Sequence, residues 1–589
     1  MGLHRADAEK RDKSFRKQRV RALIIFALLE LCFGLLIYRL LYIQCIRGDE
    51  LRRWAGEQYR KEVLIAAKRG DIYDRNFQPL AVKLGSYSLY ADPSILRDRE
   101  SASRALSPIL GMSTKDISRK LKSKGYFVWL KRQLPDDIAD SIRSLGIKGL
   151  GFEKEEKRYY PKRSLASHII GFVGLDSVGL DGIEKEYDSY MRGSPQKLVS
   201  QYDCMGRDLL PPGVDYDEST RGYHVVLTID EVIQSIVEQE LRQACEKWQA
   251  RSGSVIVMDP STGEILALAN CPTYDLNRAF STDDDCRRNR AIRDLYEPGS
   301  VFKVITAAAA VNEYLFTPQE LINCENGAYR INGATIHDVG SHELLTFSEV
   351  VEKSSNIGIT KVAQRLGDRR LYKYIEAFGL TGKTGLDLPE RPGFVRPLKL
   401  WTKRSMAAIP FGQEIAITPL QMLCSANAIA NDGVIMRPFI VRAIAEWNTE
   451  DNEEAVAHPE PIMEFPPQKI GTPISSRTAR TMKQILTRAV EDGTGENARI
   501  SGYKVAGKTG TAQKAGEKGY LPGKYISSFI GFLSAEKFTV SMIVVINEPK
   551  GIHTGGAVAC PVFHEIGEQV MQYLTVGHRF YVRGMKSPN

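Results

Sequence analysis

Cysteine is scarce in this chain and unorganised. Nine cysteines are spread over 589 residues, at positions 32, 45, 204, 245, 271, 286, 324, 424 and 560, with no Cys-x-x-Cys pair. That excludes a zinc ribbon and a disulfide-dense scaffold, and leaves room for a disulfide without saying which cysteines would pair. The histidines are scattered and form no metal constellation, so no metal and no cofactor is expected. Long apolar runs are missing too, with one exception between Ala22 and about Ile46. The 43% hydrophobic and 26% charged residues are those of a globular protein with an ordinary surface, and the length implies two or more domains. A net charge of +9 could point to nucleic acid, but part of the excess is local, and no nucleic-acid partner is expected.

The local excess precedes the apolar run. Arg5, Lys10, Arg11, Lys13, Arg16, Lys17, Arg19 and Arg21 face only Asp7, Glu9 and Asp12 across residues 1–21. From Leu23 to Ile43 the apolar residues each favour insertion by roughly 0.3 to 0.6 kcal/mol, against about 2.5 to 3.5 kcal/mol for a central charge such as Glu30. The apolar residues win narrowly, because Arg39 lies near the end, where it can snorkel. No small-residue cleavage site follows, so residues 22–46 read as an uncleaved anchor behind a basic cytoplasmic tail, with everything downstream outside the cytoplasm. Glu30 is either tolerated by a marginal span or buried against another membrane helix.

Downstream, Tyr296-Glu297-Pro298-Gly299-Ser300-Val301-Phe302-Lys303 carries the first candidate chemistry. Pro298-Gly299 marks a turn, and the run behind it, with Val304, Ile305, Ala307 to Ala310 and Val311, reads as a helix buried on most sides. Ser300 then lies in the first helical turn and Lys303 one turn on, on the same face. A serine needs a base to become a nucleophile, and lysine serves as one only if burial lowers its pKa. Ser-x-x-Lys alone is weak, since Ser14/Lys17, Ser194/Lys197, Ser501/Lys504 and Ser534/Lys537 also match. Ser300 stands out by its turn, its buried helix and two companions, Ser354-Ser355-Asn356 and Lys508-Thr509-Gly510-Thr511.

A phosphate-loop reading competes, because Gly502-Tyr503-Lys504-Val505-Ala506-Gly507-Lys508-Thr509 matches that pattern. A phosphate loop must lead into a helix whose N-terminus meets the phosphates. Here Gly510 to Gln513 runs into Gly516, Gly519, Pro522 and Gly523, where no helix can start. Decoys exist for the companions as well: Ser425-Ala426-Asn427, and Lys383-Thr384-Gly385, which sits in a glycine-rich turn with no strand entering it.

Together and in order, Ser300-x-x-Lys303, Ser354-x-Asn356 and Lys508-Thr509-Gly510 resemble the signature of penicillin-binding proteins and class A β-lactamases. From the anchor to about Phe563 the chain resembles a class B penicillin-binding protein, a monofunctional peptidoglycan D,D-transpeptidase, most like the septal, cell-division type. The resemblance implies that Ser300 attacks a stem peptide ending in D-Ala-D-Ala with Lys303 as base. Ser354 would relay a proton to the leaving amine, Asn356 would hold the peptide amide, and Lys508, Thr509, Gly510 and Thr511 would form the carboxylate-binding strand. Backbone N–H groups of Ser300 and Thr511 would make the oxyanion hole. It further implies β-lactam inhibition, a bacterial plasma-membrane location, lipid-linked stem peptides as substrate, and dependence on a separate membrane glycan polymerase and other division proteins, since upstream there is no room for a glycosyltransferase domain. Ser355 departs from the class A β-lactamase form, which has Asp there, and no Glu-x-x-Leu-Asn setting is present, so a slowly released acyl-enzyme is expected. Elongation-type or sporulation-type duty, a β-lactam sensor and a D,D-carboxypeptidase share the three elements. The septal assignment rests on pedestal similarity such as Tyr90-Ala91-Asp92-Pro93.

The expected fold class is α+β. Residues 47–222 form a mixed pedestal with blocks at Lys68 to Asn76, Tyr159-Tyr160-Pro161, His168 to Gly171 and Gly179 to Glu184, whose alternating charges read as ion pairs holding a module together. Leu209-Leu210-Pro211-Pro212-Gly213 reads as its exit linker. Residues 223–575 form a β-lactamase-like domain, an antiparallel sheet flanked by helices, with residues 576–589 as a tail. Within it, Thr228 and Glu231 predict a capping box, and Val232, Ile233, Ile236, Val237, Leu241, Ala244, Cys245 and Trp248 one apolar helix face. Ser254 to Met258 and Ile265 to Ala269 predict a hairpin, Lys504 to Gly507, Ser528 to Phe532 and Thr539 to Ile546 three more strands, and Ala557 to Tyr573 a closing helix.

Overall fold

The computed structural model describes residues 3–65, 67–123, 125–194, 196–201, 221–331, 334–446, 459–516, 519–535 and 538–584. The linker expected at Leu209 to Gly213 lies outside these residues. The chain divides into two units, Met1–Ala67 with Ser194–Thr220, and Lys68–Gly193 with Arg221–Asn589.

The smaller unit holds helix α1 (Leu3–Leu41), which runs into a π-turn at Tyr42–Ile46. The stretch Phe15–Ile46 is long and apolar enough to cross a membrane, and none of its apolar window is buried inside the protein. The helix starts well before Ala22, so most of the expected tail is its first turns. A helix at Gly48–Tyr59 follows, and Arg60–Ile65 pairs antiparallel with Gln196–Gln201.

The larger unit opens with β1 (Ile72–Tyr73), β2 (Pro79–Ala91), β3 (Val128–Leu134) and β4 (Leu150–Tyr159). Its charges pair as expected. Arg69 Nε donates to Glu184 at 2.8 Å and Arg158 Nε donates to the same carboxylate at 2.6 Å, with Arg69 only 4% and Glu184 0% exposed. Such a pair costs desolvation, so its main consequence is a fixed geometry: removing one partner would strand the other charge.

Next come β5 (His224–Leu227), α2 (Glu231–Lys247), β6 (Ser252–Met258) and β7 (Ile265–Cys271). The capping box expected at Thr228 is absent. Asp230 caps α2 instead, accepting from the amides of Val232 and Ile233, while Thr228 Oγ1 donates to the carbonyl of Ile265 at 2.7 Å. A carboxylate two residues nearer the helix outcompetes the hydroxyl. Val232, placed on the apolar face by its spacing, is exposed.

The rest of the chain supplies α3 (Lys303–Asn312), α4 (Asn356–Leu366), β8 (Val441–Glu446), β9 (Glu460–Glu464), α5 (Ser476–Glu491), β10 (Lys504–Gly516), β11 (Gly519–Ser534), β12 (Thr539–Asn547) and α6 (Gly555–Gly584). The closing helix therefore extends past Tyr573 through most of the expected tail. Five strands form an antiparallel sheet in the order β10-β11-β12-β6-β7. Alternate residues serve opposite faces: Val255 and Val257 pack with α2 and α6, Ile256 and Met258 with the larger core that contains α3. Each such fully buried side chain contributes roughly 1.5–3 kcal/mol.

The second sheet runs β9-β8-β5-β1-β2-β3, with β4 on β2. Here β5 pairs parallel with β1 and antiparallel with β8. A pedestal ending at residue 222 therefore has no clean seam with the β-lactamase-like domain, because one sheet takes strands from both.

Candidate active site

Ser300 lies in a 3₁₀ turn, Gly299–Phe302, and Lys303 opens α3 behind it. The serine is thus one turn ahead of the helix proper. Gly299 has φ +57° and donates its N–H to the carbonyl of Gly412 at 3.1 Å, a conformation that favours glycine and that sets the turn. Gly412, with φ +84°, is as constrained, since a Cβ there would sit 2.2 Å from the Gly299 carbonyl oxygen. Nothing near residue 412 signals this brace in the sequence.

Lys303 is fully buried. Its Nζ donates to the Ser354 carbonyl at 2.5 Å and to Ser354 Oγ at 3.1 Å. Burial pushes its pKa well below the usual lysine range, the charge of Lys508 pushes it further down, and Asp338 opposes them. Lowering its proton affinity is what a lysine needs before it can act as a base, since a solvated lysine stays charged.

Ser354 adopts φ +61°, outside the usual range for a residue with a side chain. Ser355 caps α4, its Oγ accepting from the Gly358 amide at 2.8 Å and donating to Asp338 at 2.5 Å. The middle position of Ser-x-Asn therefore does helix-capping work here, which serine performs as well as aspartate. Asp338 also accepts from the backbone amides of Asn356 at 2.5 Å and Ile357 at 3.1 Å. Asn356 is anchored by donating from Nδ2 to the His337 carbonyl at 2.9 Å. Asp338 is not legible in the sequence, since it reaches α4 from the loop that follows the strand Ala334–His337 and no local pattern joins the two.

Lys508 is 1% exposed and donates to the carbonyl and Oγ1 of Thr509. Burial brings its pKa down to about 7. Thr509 Oγ1 lies 2.7 Å from Thr494 Oγ1, and the exposed Thr511 accepts from the Gly555 amide through its Oγ1 at 3.0 Å. That leaves the Thr511 hydroxyl proton free to donate. Gly510 is required by contact: a Cβ there would lie 2.3 Å from Ser528 Oγ, 3.0 Å from Val301 Cγ1 and 3.2 Å from the Pro298 carbonyl oxygen. A Cβ on Gly299 would lie 3.3 Å from the Thr511 carbonyl oxygen. The sequence-distant Lys-Thr-Gly strand thus passes directly against the serine turn.

The decoys lie elsewhere. Ser425 and Asn427 are buried in the helix Pro419–Ala430, where Ser425 donates to the Phe378 carbonyl. The turn at Lys383 is held by Glu390, which accepts from Thr384 Oγ1 and the Gly385 amide. Lys508 lies within a strand that continues to Gly516 and returns as β11, so no helix follows and the phosphate-loop geometry is absent.

Residues 253–568 match the penicillin-binding protein transpeptidase domain, and residues 64–227 the penicillin-binding protein dimerisation domain. The chain belongs to the class B penicillin-binding proteins. It is 32% identical to the peptidoglycan D,D-transpeptidase FtsI of Escherichia coli K12, covering 93% of this chain and 90% of that protein. It is equally 32% identical to the stage V sporulation protein D of Bacillus subtilis, covering 95% and 87%. Among solved structures, penicillin-binding protein 3 of Mycobacterium tuberculosis complexed with aztreonam aligns with TM-score 0.66 and 28% identity over 87% of this chain and 98% of that one. The dimerisation match runs to the end of β5 rather than to residue 222, in agreement with the sheet that spans that position in this penicillin-binding protein.

Proposed function

We propose that this class B penicillin-binding protein is a membrane-anchored peptidoglycan D,D-transpeptidase that cross-links stem peptides through an acyl-serine, and that β-lactams acylate the same serine. Lys303 takes the Ser300 proton as Oγ attacks the penultimate D-Ala carbonyl. The backbone N–H groups of Ser300 and Thr511 hold the oxyanion. Ser354 passes a proton to the departing D-Ala, Asn356 holds the peptide amide, and Lys508 with Thr509 and Thr511 binds the terminal carboxylate on the Gly510 strand. An acceptor amine then resolves the acyl-enzyme. The observation that carries this reading is the buried Lys303 amine bonded to Ser354 beside the Lys508 strand.

The basic residues ahead of the apolar part of α1 support an N-terminus in the cytoplasm and a catalytic domain outside it, at the bacterial plasma membrane. A septal duty alongside a separate membrane glycan polymerase and other division proteins is supported by the similarity to FtsI. The equal identity to the sporulation protein supports sporulation-type duty as the second reading. Two experiments test these statements. Purified protein given a synthetic stem peptide and a D-amino acid acceptor should release D-Ala and form the exchanged peptide, and hydrolysis alone would mark a carboxypeptidase. A fluorescent fusion should gather at midcell in dividing cells, whereas localisation confined to sporulating cells would favour the second reading.

A further inference from the structure

Two of the scattered cysteines meet in the fold. Cys245, 5% exposed, ends the buried face of α2, and Cys271, half-buried, ends β7. In the β6–β7 hairpin Cys271 is the direct partner of Gly253, and a Cβ built on Gly253 would lie 3.0 Å from Cys245 Sγ. Cys245 Sγ and the strand position of Cys271 therefore border one glycine, whose missing side chain leaves room between them. The neighbouring Cys271 sulfur pushes the Cys245 thiol up, and Cys245 in turn pushes the Cys271 thiol down, so Cys271 is the more acidic of the two. Cys271 also lines a cavity of about 380 Å³, together with Glu238, Arg242, Asn270 and Thr273. A reagent in solvent can reach Cys271 through this cavity, and Cys245 borders the same glycine.

We propose that Cys245 and Cys271 form a disulfide in the functional protein, made after the domain reaches an oxidising compartment. This rests on the extracytoplasmic placement proposed for the catalytic domain. The oxidant is a dithiol-disulfide reagent or protein of that compartment. The Cys271 thiolate attacks one sulfur of the oxidant's disulfide, forming a mixed disulfide and releasing a thiolate that takes up a proton. The Cys245 sulfur gives up its proton and attacks Cys271, and the oxidant's second thiol leaves. Two protein thiols are oxidised and one external disulfide is reduced.

The bond would tie α2 to the strand end that orients the approach to the serine turn. Next to Cys271, Asn270 Oδ1 accepts from the Ala291 amide at 2.9 Å and its Nδ2 donates to Asn289 at 3.1 Å. That segment leads into Tyr296 and Ser300. Cys324, Cys424 and Cys560 are buried elsewhere and serve as internal controls.

The test is differential alkylation of the full chain. Membranes are quenched in acid, denatured with iodoacetamide, reduced, and treated with N-ethylmaleimide before peptide mass spectrometry. Cys245 and Cys271 should carry the second label and appear in the unreduced digest as one linked peptide lacking two hydrogen atoms, while Cys324, Cys424 and Cys560 carry the first. Purified full chain equilibrated with oxidised glutathione should show the same link, and its melting temperature should fall by a few degrees on reduction, a fall absent in Cys271→Ser. Free thiols in the glutathione arm overturn the pairing. Free thiols in membranes, while a periplasm-active reporter fused after Asn589 is active, overturn the bond as a cellular state. If that reporter is silent, the orientation has failed rather than the geometry, and the glutathione arm still decides whether the pair closes.

Discussion

Lys508 sits close enough to Lys303 that its charge lowers the proton affinity of the second lysine, and both side chains are buried. The proposed roles give the two opposite requirements. Lys303 must be neutral to act as a base, and Lys508 must be charged to bind a carboxylate. Burial and the Lys508 charge push Lys303 well down, toward the neutral form a base needs, while burial brings Lys508 to about 7.

The rate of acylation should therefore depend on pH with a definite sign on each side. Penicillin acylation measured at low penicillin reports the free enzyme. It should fall as pH drops, because Lys303 gains a proton, and fall again as pH rises above about 7, because Lys508 loses one. Stopped-flow acylation rates across this range check it. A rate that climbs steadily through pH 7 into alkali would contradict the role given to Lys508.

Asp338 is a positioning residue with an electrostatic effect that packing alone would not have. Its charge raises the pKa of Lys303, so Asp338→Asn should move the acid limb of the acylation profile to lower pH. Losing good acceptors for the Ser355 hydroxyl and the Asn356 and Ile357 amides should also slow acylation, by about tenfold for a loss near 1.4 kcal/mol. A slower rate with an unmoved acid limb would reduce Asp338 to a helix cap.

Lys508 and Lys383 head identical tripeptides, and only one should matter. Removing a charge-assisted hydrogen bond typically costs about 1.5–3 kcal/mol, so Lys508→Ala should slow acylation roughly ten- to a hundredfold or more. Lys383→Ala, at an exposed turn held by Glu390, should acylate like the parent chain. Equal rates for the parent and Lys508→Ala would remove the carboxylate role.

Gly510→Ala tests the contact between strand and serine turn. The added methyl cannot be placed without shifting Ser528, Val301 or the backbone at Pro298. Acylation should drop by about tenfold or more, while Gly502→Ala, on open space though at φ +84°, should lose some stability and keep its acylation rate in folded protein. Full activity of Gly510→Ala would show that the strand need not lie where it does.

The parts legible in the sequence are those written in local periodicity. The alanine-rich run behind Ser300, the β6–β7 hairpin and the strand entering Lys508 all carry their pattern in neighbouring residues, and each is found. Features that escape it depend on distant segments. No local rule pairs Ile72 with Val225, so the sequence alone places a boundary at residue 222 that the sheet does not respect. Thr228 and Glu231 fit a capping box, yet Asp230 lies nearer the helix and takes the amides. Asp338 and Gly412 brace the site from loops whose composition says nothing of their neighbours. Cys245 and Cys271 are unremarkable by spacing and meet only because a helix end packs on a strand end.

The central claim is that Ser300 is the nucleophile. Parent protein incubated with penicillin should gain the mass of one ring-opened drug, and peptide mapping should place it on Ser300. Ser300→Ala should gain none, while Ser501→Ala and Ser534→Ala, at matching motifs, should be labelled in full. Covalent labelling that persists in folded Ser300→Ala, or that maps to another serine, would contradict the account.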